Sequence, residues 1–404
     1  MIKRFLYDLS LFALLILFFP KLMIDFFFKG KYRQSILARL YPEAIKNTKK
    51  PVIWLHGVSL GETKALSTLI PHMRKAYPQA YLFVTTVTET GYNQAQKLIP
   101  DVDAIHYLPL DFSWIIKSFV RMIQPQLLIL VEGDYWYNLM REVKRGRGKI
   151  AVVNGKMSEK SLKRYHYFKS LFSFVDHFCL QGESYLERFL KLGIPPEKMT
   201  VTGNLKFDIS LPEMGDLSHF RKELHLEEGD RVITLGSTHE GEEELLMRKI
   251  KPLQQKDPHL KVLLVPRHPE RFARVKSLLA HYPQTVLIDK MGVLSKCYCI
   301  SDLAIIGGSF VNGVGGHDIF ESAKMGVPTL FGPYMYKQVD LTQLITQSGA
   351  GKMLSLEALL PTLEELLYNP HLRQEMGGKG ILCGQKAMGS ALRTWKEIAC
   401  MLDY

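Results

Sequence analysis

The nine residues WLHGVSLGE, Trp54 to Glu62, hold two overlapping signatures that imply different chemistry. Gly57-Val58-Ser59-Leu60-Gly61 fits G-x-S-x-G, the elbow that exposes a nucleophilic serine in a hydrolase. Ser59 to Glu62 fits S-x-x-E, a capping box in which serine oxygen and glutamate carboxylate each satisfy a backbone N–H at a helix start. Glu62 also has the right type for a general base, because partial burial raises a carboxyl pKa toward the working range. Within these nine residues the nucleophile, the phosphate cradle, the base and the bare helix start all stay open.

A second stretch, LAIIGGSFVNGVGGHDIFESAKMGVPTLFGP from Leu303 to Pro333, reads as a buried strand running into a glycine-dense loop. The loop is expected to open a helix near Gly315, Gly316 and His317. Free N–H groups and a helix dipole there would favour an anion, so these residues are a candidate phosphate site. The loop lacks the Lys-Ser/Thr of a nucleoside-triphosphate loop and the G-x-G-x-x-G of a dinucleotide site. Glu321 lies early in the expected helix, as a ribose ligand or as a first-turn acid favoured by the dipole. The histidines His239, His268 and His317 invite a metal, but no H-E-x-x-H and no tight His/Asp spacing accompanies them. No metal and no cofactor is expected.

These residues need a scaffold that brings strand ends together, and the periodicity supplies one. From about residue 50, short Val/Ile/Leu runs such as PVIWLHG, AYLFVTTVT, LLILVEGD and KIAVVNG alternate with amphipathic stretches. The pattern restarts at RVITLGST and continues through KVLLVPRH, TVLID, LAIIGGS and VPTLFGP. Alternation of this kind predicts an α/β fold of two Rossmann-like, doubly wound domains facing a cleft, with ligands at the carboxyl ends of parallel strands. Most unusual polar residues fall just there: His56, Ser59 and Glu62 after the first strand, Glu132 and Asp134 after the fourth, Asn154 after the fifth. In the second half Ser237, Thr238 and His239 follow one strand, and Pro266, Arg267 and His268 another. Loops are polar by default, so a share of these residues is expected to be caps and turns.

The chain has 404 residues and carries Lys+Arg 52 against Asp+Glu 40, a net charge of +12 that implies an anionic partner. Five cysteines without a C-x-x-C pair indicate neither a disulfide framework nor a zinc ribbon and suit a reducing compartment. FLYDLSLFALLILFFPKLMIDFFF, Phe5 to Phe28, is nearly continuous in Leu, Ile and Phe, and no small-residue cleavage site follows it. It reads as a retained anchor, spanning or interfacial, and the basic KGKYRQSILAR behind it puts the rest of the chain in the cytoplasm. The expected division is an anchor over 1–33, an N-terminal domain over 34–210, a polar linker over 211–230, a C-terminal domain over 231–390, and a helix over 391–404 that packs back on the N-terminal domain.

The strand, glycine-rich turn, early helical acid and Gly326-Val327-Pro328 resemble the donor half of a GT-B glycosyltransferase. Along nearly the whole chain, HGVSLGE, TTVTETG, GNLKFD, GSTHEGEE, VPRHPERF and GGSFVNGVGGHD, in that order behind an apolar anchor, resemble the 3-deoxy-D-manno-octulosonic acid (Kdo) transferase family. EGDYWYN departs from its usual E-x-E-x-W-P-N at Asp134 and Tyr137, and Lys156 stands where arginine is usual.

The resemblance implies an inverting transfer of Kdo from CMP-Kdo to a phosphorylated lipid A precursor (lipid IVA), in lipopolysaccharide core biosynthesis at the cytoplasmic face of the bacterial inner membrane. It implies Glu62 as base, with Lys206 and Arg267 supplying charge for the departing phosphate. Ser237, Thr238, Pro266, His268, Gly315, Gly316, His317 and Glu321 then lie on the donor side, and Ser59, Gly61 and Glu132 on the acceptor side. For one of Ser237 and Thr238 a helix N-cap ahead of EGEEELL is the competing role. Two other readings make different predictions: a serine hydrolase needs Ser59 exposed beside a histidine, and a membrane-tethered nucleic-acid-binding protein needs a recognition motif, of which none is present.

Overall fold

The computed structural model describes residues 2–28, 35–40, 51–210 and 215–402, so the basic run 29–33 and linker residues 211–214 lie outside the described residues. The chain divides into two compact units, Met1–Ile209 with Gly389–Tyr404, and Ser210–Met388.

The first unit begins with α1 (Ile2–Phe27) and α2 (Ser35–Leu40). By length and composition α1 is sufficient to cross a membrane, with mean hydropathy 2.0 over its apolar stretch. Seven parallel strands follow: β1 (Val52–His56), β2 (Tyr81–Thr86), β3 (Ala104–Tyr107), β4 (Leu127–Val131), β5 (Lys149–Gly155), β6 (His177–Leu180) and β7 (Met199–Val201). They are ordered β3-β2-β1-β4-β5-β6-β7. All five residues of VIWLH and of LLILV are buried, as a parallel strand covered by helices on both faces requires. Trp54, Phe83, Phe119, Leu128 and Phe178 fill one face. Ile53, Leu55, Leu66, Val84 and Ile129 fill the other, together with Ala391, Trp395 and Ile398 of the helix Ser390–Ala399. Asp208 fixes the start of that returning helix by accepting the N–H groups of Gly389 and Ala391.

The second unit has six parallel strands, β8 (Arg231–Thr238), β9 (Leu260–Pro266), β10 (Thr285–Leu287), β11 (Leu303–Ile306), β12 (Thr329–Phe331) and β13 (Gly351–Met353). Their order is β10-β9-β8-β11-β12-β13. The edge strand β13, sequence Gly-Lys-Met, carries no β-branched residue and pairs only with β12, so periodicity does not mark it. The stretch read as a polar linker contains a helix, Leu217–Glu223. Its Phe220, with Leu226, packs on Val232 and Cys297, which ties this segment to the second unit. In each sheet the strand order reverses once, between β1 and β4 and between β8 and β11, and crevices for ligands open at the carboxyl ends beside such points.

Candidate functional site

In the first unit, β1 ends at His56 and the chain turns through Gly57 and Val58 into α3 (Leu60–Ala76). Ser59 is the N-cap of α3: its Oγ accepts the Glu62 N–H at 3.4 Å and donates to Glu62 Oε1 at 3.0 Å. Glu62 Oε2 accepts the Val58 N–H at 2.5 Å, so the glutamate closes the turn one residue before the N-cap. The cap and the carboxylate are therefore one device that fixes Glu62 over the end of β1. Burial pushes its pKa up, the Val58 N–H pulls it back, and the charge of Glu132, with Asp134 behind it, raises it further.

Glu132 follows β4 with φ 63°, a left-handed conformation that a non-glycine residue seldom holds. Its carboxylate is clamped from both sides, by Lys206 Nζ on Oε1 at 2.9 Å and Lys156 Nζ on Oε2 at 2.6 Å. Burial alone would raise its pKa, but the ammonium groups of Lys206 and Lys156 outweigh it and hold the group below the usual carboxylate range. Asn154, φ 54°, donates to Glu132 Oε1 at 3.4 Å and accepts the Leu205 N–H at 2.9 Å, which locks the Leu205–Asp208 turn carrying Lys206. A Cβ added to Gly61 would lie 3.5 Å from Lys206 Nζ, so the ammonium sits over the first turn of α3. Ser59, Gly61, Glu62, Glu132 and Lys206 thus share one end of one sheet. Lys156, which the resemblance marked only as a departure, joins them, and its position just after β5 is the signal that could have found it.

The serine-hydrolase reading fails on this geometry. Ser59 Oγ is engaged with Glu62, while the ring of the fully buried His56 bonds Thr85 Oγ1 at 2.9 Å through Nδ1 and Asp134 Oδ2 at 3.3 Å through Nε2. No hydrogen bond links Ser59 to a histidine among the described residues. Several other strand-end polar residues have architectural roles: Thr85 accepts the Trp54 indole N–H, and Thr88 caps the helix Glu89–Leu98.

In the second unit, Ser237 (φ 58°) and Thr238 close β8, and the Arg267 N–H bonds Thr238 O at 3.0 Å, which sets Pro266, Arg267 and His268 beside them at the end of β9. His239 and His317 stack at 5.0 Å with their Nε2 atoms 2.7 Å apart, and His268 meets the His239 ring edge-on at 5.2 Å. Burial, and then the neighbouring His239, Arg267, His268 and Lys337, depress the His317 pKa to about 4. The His239 pKa is lowered as well, by burial and then by His268 and Arg271. With the two stacked rings held neutral, the positive charge here that would draw an anion is that of Arg267 and Lys337.

Two details differ from the sequence expectations. The helix after the glycine-rich loop starts at Phe320 rather than near Gly315, and Asp318 Oδ1 accepts the N–H groups of Phe320 at 2.8 Å and Glu321 at 3.2 Å, so this short helix end is capped by the chain itself. Gly316 (φ 84°) is required for packing as much as for any ligand, since a Cβ there would meet Met335 Sδ at 2.3 Å. Neither Ser237 nor Thr238 caps the helix Glu242–Lys256, whose N-cap is Gly241. Glu321 accepts the Ser295 hydroxyl in addition to its first-turn position. The residue that organises this loop was not anticipated: fully buried Glu242 accepts N–H groups from His239, Gly308, Ser309 and Phe310 at 3.1, 2.6, 3.1 and 2.9 Å. Gly307 permits the approach, because a Cβ there would lie 2.6 Å from Ser237 O.

Residues 34–209 match the family model described as 3-deoxy-D-manno-octulosonic-acid transferase (kdotransferase). A 3-deoxy-D-manno-octulosonic acid transferase of Chlamydophila psittaci is 35% identical, with 98% of this chain and 96% of the relative covered. The chain belongs to the Kdo transferase family. A Kdo transferase family relative from Haemophilus influenzae is 31% identical, with 87% of each chain covered. Among solved structures, UDP-GlcNAc 2-epimerase from Neisseria meningitidis (TM-score 0.63, 14% identical, 85% of this chain and 99% of that one) shares the fold. A glycosyltransferase from Rickettsia africae gives TM-score 0.63 at 14% identity, over 88% of this chain and 98% of that one. The protein is thus a glycosyltransferase of the Kdo transferase family with the α/β GT-B fold.

Proposed function

We propose that this Kdo transferase family member moves Kdo, with inversion, from CMP-Kdo to a sugar hydroxyl of a phosphorylated lipid A precursor, lipid IVA. The observation that carries the reading within the molecule is Glu62, a carboxylate of raised pKa beside the Glu132–Lys206–Lys156 cluster at the switch point of the first sheet. Residues 34–210 take the acceptor and residues 231–390 the donor. Glu62 removes the proton as the acceptor oxygen bonds the anomeric carbon of Kdo, and the bond from that carbon to the CMP phosphate oxygen breaks. Glu132 holds Lys206 and Lys156 in place at the same strand end, and its own charge keeps the pKa of the base raised. In the donor half, Arg267 supplies positive potential for the phosphate and the His239–His317–His268 cluster supplies ring N–H donors, with Ser237, Thr238, Gly315 and Gly316 around it. Glu321, which accepts the Ser295 hydroxyl, serves the ribose.

Incubating the full-length protein with CMP-Kdo and tetra-acylated lipid A precursor, and reading product mass, tests the assignment. A mass increase of one or more Kdo units is expected, undiminished by excess chelator. No adduct on the lipid, or turnover abolished by chelator and restored by one divalent ion, would overturn the substrate or the metal-independent reading respectively.

Location supports the same substrate. The exposed Lys163, Arg164 and Lys169 flank exposed Tyr167 and Phe168, a surface suited to anionic headgroups at the cytoplasmic leaflet. Lys163→Glu with Lys169→Glu should raise the acceptor KM by at least about thirtyfold, at roughly 1 kcal/mol for each basic residue lost, and leave the CMP-Kdo KM unchanged. The opposite pattern would assign this surface to the donor.

A further inference from the structure

The apolar helix α1 has its amino end fastened to the first unit by polar bonds. Tyr7 Oη donates to Asp111 Oδ2 at 2.9 Å, and Asp8 Oδ1 accepts the Ser113 N–H at 3.1 Å and Asn138 Nδ2 at 2.8 Å. Arg4 donates to Ser113 Oγ at 2.8 Å, and Tyr7 packs on the Tyr137 ring at 5.2 Å. The segment after the helix is held at the same place: Arg39 of α2 donates to Leu108 O at 2.9 Å, and the Leu110 N–H bonds Arg39 O at 3.1 Å. Both flanks of α1 therefore meet the single stretch 108–113.

That closure is incompatible with a helix that crosses a bilayer. From Tyr7 to Phe27 an α-helix advances about 30 Å, the thickness of the hydrocarbon core. A spanning α1 would leave its two ends on opposite faces, and the chain would have to return to Ser35. The seven links from Phe28 to Ser35 reach about 25 Å at most when fully extended. They include Lys29, Lys31 and Arg33, whose charges lipid does not accept.

The burial pattern along α1 agrees. Tyr7, Asp8, Leu11 and Leu15 recur at helical spacing and are half-buried, residues 16–21 are exposed, and cover returns at Leu22 and at Asp25, the latter at 6% exposure near the far end. Phe5, Leu9, Phe12, Ile16 and Phe19 form the opposite, exposed stripe. A helix projecting from the body by one end would be covered only in its first turns.

Resting on the membrane reading above, we infer that α1 lies flat in the boundary between headgroups and acyl chains of an anionic membrane, its Phe5–Phe19 stripe turned to lipid, and does not span. Exposed Trp114, stacked on Phe112 beside Ser113, and exposed Leu37 extend the apolar surface. Tyr137, packed on Tyr7, also meets the Phe174 ring at 5.8 Å, which ties the segment His166–Phe174, carrying exposed Lys169, to the amino end of α1. Charge complementarity between the basic residues Lys163, Arg164 and Lys169 and anionic headgroups selects a lipid surface as the occupant. Asn138, which holds Asp8, lies four residues beyond Asp134, so α1 is fixed to the same carboxyl edge of the sheet as Glu62 and Glu132. A lipid-borne sugar phosphate then meets that cluster at headgroup level without leaving the bilayer.

The test is topological. The full chain, carrying one epitope before Met1 and another after Tyr404, is expressed in a Gram-negative host, and intact spheroplasts and inside-out inner-membrane vesicles are treated with protease. Both epitopes are expected to be cleaved in inside-out vesicles and both protected in spheroplasts. An amino-terminal epitope cleaved only in spheroplasts, with the carboxyl-terminal one cleaved only in inside-out vesicles, would overturn the flat orientation and leave the membrane reading standing. Recovery of the protein in the soluble fraction would overturn the membrane reading and this inference with it; a stable soluble dimer would name a second copy as the occupant of the stripe. Phe12→Glu combined with Phe19→Glu should lower the membrane-bound fraction at least about tenfold, since membrane affinity scales with the apolar area inserted.

Discussion

Glu62→Gln is expected to lower the transfer rate by about 10²- to 10⁴-fold, the usual worth of a positioned general base. The amide preserves the volume of the side chain and can still accept the Val58 N–H that Glu62 Oε2 accepts. The melting temperature of the variant should therefore stay near that of the wild type. Glu62→Ala should lose the same rate and, in addition, about 1 kcal/mol of stability as the reciprocal cap at the start of α3 is broken. The pH profile gives a second readout. Burial, reinforced by the charges of Glu132 and Asp134, holds the folded pKa of Glu62 above its ordinary value despite the Val58 and Ser59 hydrogen bonds. A base works only when ionised, so activity should fall as the pH drops through that raised pKa, earlier than for an ordinary glutamate. Single-turnover rates of the wild type across the acid range check this, both variants should lack that acid limb, and a wild-type rate in Glu62→Gln would remove Glu62 from the chemistry.

Glu242→Ala should destabilise the protein by about 3–5 kcal/mol, because it leaves several buried backbone N–H groups without an acceptor. The four donors belong to His239 and to Gly308, Ser309 and Phe310. At roughly 2–4 °C per kcal/mol for a unit of this size, the expected fall in melting temperature is about 10 °C, measurable by calorimetry. Since the same carboxylate joins the turn after β8 to the loop after β11, the variant should also bind CMP-Kdo more weakly even where it remains folded. A melting temperature unchanged within error would mean that the loop does not depend on Glu242.

Glu242 also marks how far the sequence could be read. GSTHEGEE is recognisable as a motif, and its position after β8 is legible from the Val/Ile run before it, yet nothing local distinguishes Glu242 from Glu243 or Glu244. The first accepts backbone N–H groups 66 to 68 residues away, the second pairs with Arg271, and the third pairs on the surface with Arg248. Their roles follow from which face of the first helical turn each occupies and what the crossover brings against it. Asp111 is a similar case. It stands at a strand end like a site residue, but the arrival of α1 makes it an anchor for Tyr7, Asn138 and Leu139, with burial pushing its pKa up to about 7.

By itself the sequence determined the strands that are buried on both faces, because such strands must be continuous apolar runs, and it determined which polar residues stand at their carboxyl ends. It offered the Ser59–Glu62 cap, whose partners lie within four residues of one another, beside the nucleophile elbow, and the observed hydrogen bonds decide for the cap. The tertiary structure alone decided that Glu132 pairs with Lys156 and Lys206, that His239 faces His317, and that the amino end of α1 and Arg39 of α2 both meet the stretch 108–113. The physical reason is range: propensity and periodicity act over a few residues, whereas these contacts join groups that only strand order and crossover connections bring together.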